Sequence, residues 1–205
     1  RFGSLFGSYH DKMQKAFIAE LASKRATARK RSNVCLATLP ANTSDKLFTE
    51  LINTVNTGIS KASAGGEALR TYIQAISGIS KTAGHRLGKS LDKIVPLLWK
   101  AAEDISDKDG EDEVREYIMQ AFESFVTRCS EEVKSHVEYI LVLCREYMEY
   151  DPNFSYDSSG AEDNAEDNAE DEDADEDADD GDEDDVSWKV RTAAIKCLDA
   201  LIRTR

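Results

Sequence analysis

Four stretches of this chain carry one short pattern: a small residue, a large apolar residue, two others, and a second large apolar residue. They read Cys35-Leu36 with Leu39, Ala75-Ile76 with Ile79, Ala121-Phe122 with Phe125, and Cys197-Leu198 with Leu201. The first large residue falls at 36, 76, 122 and 198, so the steps are 40, 46 and 76. Taking one ordinary step of 40 from the last leaves 36 residues. That surplus nearly matches one acidic run with its flanks. From Asp157 to Asp185, 18 of 29 residues are Asp or Glu and none is Lys or Arg. The chain therefore reads as a regular array with an insertion in its last spacer.

The array is helical. Leu47, Leu51, Val55 and Ile59 recur every four residues, with Phe48 and Ile52 beside them. Val133, Val137, Ile140, Cys144 and Tyr147 form one stripe, and so do Val114, Ile118, Ala121, Phe122 and Phe125. Val190, Ala194, Cys197, Leu198 and Leu201 form another. Such spacing gives amphipathic helices with one buried face. Paired helices repeating every 40 to 47 residues mark HEAT and armadillo solenoids, in which no unit buries its apolar face alone and neighbours stack into one core. The expected fold class is an all-α solenoid of stacked helical hairpins.

First helices are expected at about 26–39, 67–83, 112–129 and 187–203, and second helices at about 44–59, 87–104 and 132–148. A leftover second helix covers about 11–22, with Met13, Phe17 and Leu21 inward. The units are then 1–24 (a trailing helix), repeats at 25–62, 63–106 and 107–150, an insertion at 151–186, and the first helix of another repeat at 187–205. Pro40 and Gly84 are expected to end helices. Asp112 and Ser187 are expected to cap the helices that follow them. Pro96 falls inside a second helix and should bend it.

Charge separates the chain into two parts. Of 40 acids, 18 lie in the run, leaving 22 against 26 bases elsewhere. The body is slightly basic. The run holds five alanines and no larger apolar residue. Like charges repel there and nothing offsets the entropy of ordering, so it is expected to be disordered. No stretch of eighteen apolar residues occurs, so no membrane span is expected. The opening Arg1-Phe2-Gly3 has no signal-peptide pattern, and the last residues fall within a helical period. The chain is expected to be an internal piece of a longer protein, and to be monomeric by itself.

The conspicuous side chains do not assemble a reaction centre. Cys35 and Cys197 fill the slot that Ala75 and Ala121 fill elsewhere, where a small side chain permits close packing. Cys129 and Cys144 lie on the two helices of one unit, where core packing is expected and not a redox pair. None of the four has the paired spacing of a zinc ligand, so no metal is expected. His10, His85 and His136 are scattered, with His136 placed on a charged face. Ala64-Gly65-Gly66 joins two helices and follows no strand, so it is not a phosphate cradle. Neither a cofactor nor enzymatic activity is expected. The basic run Ser23 to Arg31 lacks an aromatic platform for bases, so nucleic acid is not expected as a partner.

Specific residues then resemble a known family. Arg70-Thr71-Tyr72-Ile73-Gln74-Ala75-Ile76 is followed by Ala83-Gly84-His85-Arg86-Leu87-Gly88. Val114-Arg115-Glu116-Tyr117, Gln120-Ala121-Phe122-Glu123-Ser124-Phe125-Val126 and Arg128-Cys129 come next. Tyr150-Asp151-Pro152-Asn153-Phe154, the acidic run and Ser187-Trp188-Lys189-Val190-Arg191 close the series, with Ala193-Ala194 and Lys196-Cys197-Leu198-Asp199-Ala200 after them. In order and spacing this resembles the cullin-associated, neddylation-dissociated family over about Ala26 to Arg205. The resemblance implies a HEAT superhelix that wraps an unmodified cullin and its RING subunit and lets substrate receptors exchange. It also implies a cytoplasmic and nuclear setting. The segment would lie in the N-terminal half, toward the cullin's C-terminal region and the RING subunit.

Helical period, and not the resemblance, places the candidate contact residues on the second helices: Glu50 and Asn53; Lys89, Asp92, Lys93 and Lys100; and Lys134, Glu138 and Arg145. Two other readings fit a helical array with an acidic loop. One is a nuclear transport receptor of the karyopherin type. The other is a histone-binding chaperone acting through the acidic run.

Overall fold

A computed structural model describes residues 3–108, 110–152 and 187–204. The acidic run expected to be disordered lies outside the described residues. So do Asn153 and Phe154.

Eight α-helices carry the structure: α1 (His10–Glu20), α2 (Ala26–Thr38), α3 (Asp45–Lys61), α4 (Glu67–Ala83), α5 (Leu91–Asp104), α6 (Asp112–Arg128), α7 (Val137–Met148) and α8 (Ser187–Arg203). No strand occurs among the described residues. The first helices α2, α4, α6 and α8 lie side by side in one layer. The second layer contains α1, α3, α5 and α7. Its members are joined by a bond from Gln14 Nε2 to the Leu47 carbonyl (2.9 Å), by α3 against α5, and by an edge-to-face pair of Trp99 and Tyr139. Hydrophobic side chains from both layers meet in one core, and the fold is the expected all-α solenoid.

The repeated pattern is the seam of that core. Leu36, Ile76, Ile79, Phe122 and Phe125 are fully buried, and Ala75, Ala121 and Cys197 fill the small slot without exposure. A buried side chain of this size contributes roughly 1.5–3 kcal/mol by leaving water. Cys35, Leu39, Leu198 and Leu201 are only partly buried, because they lie on the outermost helices of the stack.

Several expected details differ. α5 and α7 begin later than their apolar period, at Leu91 and Val137, behind short 3₁₀ turns at Gly88–Ser90 and Glu132–His136. Asp112 does not cap α6 from outside. It opens the helix, and its carboxylate accepts a bond from the Tyr150 hydroxyl (2.6 Å). Ser187 likewise opens α8, and its hydroxyl accepts from Arg191. The cap that does form is at α3, where the Leu47 N–H donates to Ser44 Oγ. Gly84 follows α4 with φ −54°, so no left-handed turn demands glycine there. Close approach does: a Cβ at Gly84 would lie 2.7 Å from Cδ of Arg128. Pro96 sits inside α5, which continues through it.

Candidate functional site

The second layer presents the candidate contact residues. Glu50, Asn53, Lys89, Asp92, Lys93, Lys100, Lys134, Glu138 and Arg145 are all exposed. Glu50 and Asn53 project from α3, Asp92, Lys93 and Lys100 from α5, and Glu138 and Arg145 from α7. Lys89 and Lys134 stand instead on the 3₁₀ turns that lead into α5 and α7. Two of the nine are engaged locally. Asp92 meets Nε2 of His136 at 2.9 Å, and Lys134 pairs with Glu131 at 2.7 Å. Lys89, Lys93 and Lys100 form no ion pair with a described residue.

Sequence reasoning passed over the aromatic part of this face. Trp99 on α5 and Tyr139 on α7 meet with ring centroids 5.2 Å apart and planes 62° from parallel. Tyr139 is 49% exposed and Val142, one turn along, is 53% exposed. Period analysis of single helices does not reveal such a patch, because its two halves belong to neighbouring helices.

His136 differs from its expected place. It is buried against α5 by the Asp92 bond, not displayed on a charged face. Three of the four cysteines are buried. Cys129 donates to the Gly84 carbonyl at 2.8 Å, whereas Cys144 hydrogen-bonds to Cys197 on α8. The Cys197 pKa is pushed up by that bond and by burial, and burial also raises that of Cys129. A group held as a thiol, as Cys129 and Cys197 are, is a poor nucleophile and a poor ligand, whereas the bond to Cys197 moves the Cys144 pKa down. Among the described residues no cluster of three or more His, Cys, Asp or Glu is placed to hold a metal ion. No described helix is long and apolar enough to cross a membrane.

Residues that carried the family resemblance gather at one joint. Arg115 is 1% exposed, and its Nη2 donates to the carbonyls of Ile105 (2.6 Å), Ser106 (3.1 Å) and Lys108 (3.0 Å). Its guanidinium lies 4.6 Å from the centre of the Tyr150 ring, and Asp112 stands 3.7 Å away. Tyr150 in turn bonds Asp112 through its hydroxyl and Arg191 through its carbonyl. The cation therefore closes the free carbonyl end behind α5, and the motif around it fastens α8 to the array.

That joint is built from the segments that flank the acidic run, and comparison with known proteins gives the same frame. No protein-family model matches the chain. Cullin-associated NEDD8-dissociated protein 2 of Mus musculus is 44% identical over 207 residues, covering 100% of this chain and 16% of its own length. Cullin-associated NEDD8-dissociated protein 1 of Drosophila melanogaster is 39% identical, and that of Arabidopsis thaliana 41%, each again over 100% of this chain. This chain is homologous to cullin-associated NEDD8-dissociated proteins from end to end. It spans about 16% of the length of the first two relatives, mouse and rat. The names of these relatives state association with cullins. They give no support to the transport-receptor or histone-chaperone readings.

Proposed function

We propose that this chain is one stretch of a scaffold that wraps an unmodified cullin and its RING subunit and promotes exchange of substrate receptors. Homology along the whole chain to proteins named for cullin association carries this reading. A solenoid suits the task, since successive helices offer a long curved surface without any reaction centre. In this reading the units at 25–62, 63–106 and 107–150, with the helix opening at 187, act as repeats. The second-layer residues from Glu50 to Arg145 supply part of the contact. The work is binding and not catalysis, and it takes place in the cytoplasm and nucleus. By itself the segment is a monomer. The test is capture from cell extract by the longer protein. Cullins and their RING subunit should be retained. Retention of a small GTPase or of core histones in their place would overturn the proposal.

A further inference from the structure

The exposed charges of the second layer are not its best anchors. Interface energy concentrates in a few large, partly prepacked side chains, with Trp and Tyr prominent among them. Trp99 and Tyr139 form such a pair in this layer. Trp99 is half-buried and braced edge-to-face by Tyr139, so little side-chain freedom remains to be lost on contact. Exposed Pro96 lies one turn before Trp99 on α5, and exposed Val142 lies one turn after Tyr139 on α7. The fold gains little from leaving these apolar groups in water.

Charge around the pair is uneven. Lys89 stands on the turn before α5, Lys93 and Lys100 lie on α5 itself, and Glu103 and Asp104 close its other end. Asp92, the acid among those lysines, is hydrogen-bonded to His136. On α3 the exposed Lys46 and Lys61 equal Asp45 and Glu50 in number, and Asp45 is paired with Arg86. Beside Trp99, Lys89, Lys93 and Lys100 thus stand exposed and without an ion pair to a described residue.

We propose that Trp99 and Tyr139 form the apolar anchor of this face, receiving a large apolar side chain from an acidic helical segment of the partner whose carboxylates lie over Lys89, Lys93 and Lys100. The proposal deepens the cullin-binding reading and rests on it for the partner's identity. The chain's own acidic run does not meet the requirement, because it contains no apolar residue larger than alanine.

Two measurements separate the anchor from the reading. The first titrates the 205-residue chain with a Glu-rich synthetic helix bearing leucines one turn apart, and with its Leu→Ala counterpart. The leucine peptide should shift the indole resonance of Trp99 and leave that of Trp188, on α8 in the other layer, in place. Joint Lys89→Glu, Lys93→Glu and Lys100→Glu should weaken it about tenfold, and Tyr139→Phe should retain it. Equal binding of the two peptides, or an equal response of Trp188, overturns the anchor. The second measures affinity of the longer protein for an unmodified cullin–RING core. Trp99→Ala with Tyr139→Ala should lower it at least tenfold with the melting temperature held within a few degrees. A loss below twofold overturns the anchor and leaves the cullin reading standing. A longer protein that captures no cullin overturns the reading, while the peptide result still decides the anchor.

Discussion

Arg191 donates from Nη1 to the main-chain carbonyl oxygen of Tyr150, 2.8 Å away, and so ties the start of α8 to the chain just before the acidic insertion. The same nitrogen reaches Ser187 Oγ at 2.8 Å. These bonds close the two ends of a long excursion onto one point. Arg191→Ala should therefore loosen α8 with little effect elsewhere. A lost charge-assisted hydrogen bond costs about 1–2 kcal/mol, which lowers the melting temperature by several degrees in a chain of this size. Hydrogen exchange should rise in α8 and stay unchanged in α3. Uniform acceleration across all helices would argue that Arg191 acts on global stability instead.

Arg115 should be the more sensitive position. It serves three carbonyls at once from a side chain that is almost wholly buried. Arg115→Met removes the charge but orphans those acceptors, and a loss of about 3 kcal/mol is expected in urea unfolding. Arg115→Lys should recover part of it, since an ammonium lacks the planar fork and the stacking on Tyr150. Equal stability of the Met variant and the parent chain would show that the carbonyls find other donors.

Replacement of residues 157–185 by a short Gly/Ser linker should preserve the melting temperature within a few degrees. The reason is that α8 packs on α6 and α7 through described residues outside the insertion. Long surface insertions also add little loop entropy. Loss of cooperative unfolding after the replacement would mean that the acid pairs with the body, with Arg25, Arg29 and Arg31 as the candidates by charge.

The cysteines should behave as packing residues. Cys35 is partly exposed, while Cys129, Cys144 and Cys197 are buried. A thiol-modifying reagent should label Cys35 first and reach the others only as the chain unfolds. Chelators should leave helical circular dichroism and the melting curve unchanged. A drop of several degrees that zinc restores would contradict this.

What could be read from sequence follows from what period alone encodes. The first helices were placed within a residue because each couples an apolar stripe to clear end signals, as at Ala26–Thr38 and Glu67–Ala83. The starts of α5 and α7 were not legible. Leu87 and Leu91, or Val133 and Val137, keep the spacing of one helix while a 3₁₀ turn intervenes. Buried polar groups were missed for a related reason. Arg115, His136 and Gln14 look solvent-facing until the carbonyls or carboxylate they serve are brought alongside by another helix. The aromatic anchor has the same origin, since Trp99 and Tyr139 become neighbours only when α5 lies against α7. The joint around Tyr150 was visible as a recognisable motif, but its task in holding α8 was not.

The proposed contact face can be checked against its opposite. Lys89, Lys93 and Lys100 stand on the second layer, and Lys30 and Lys81 on the first. Reversing the three second-layer charges together in the longer protein should weaken its complex with a cullin–RING core. The effect should be larger at low salt, where exposed charges are least screened. Reversing Lys30 with Lys81 should do less, and Lys81 in any case donates to Gln120 within its own layer. Because a solenoid spreads its contact over many units, the 205-residue segment alone should bind more weakly than micromolar, short of the roughly 8 kcal/mol that micromolar affinity requires. Two outcomes decide the matter. If the second-layer reversal leaves the complex intact while the first-layer reversal disrupts it, the contact face lies on α2, α4, α6 and α8. If neither reversal changes binding at any salt, the chosen face is wrong, and the carboxylate contact proposed over these lysines falls with it.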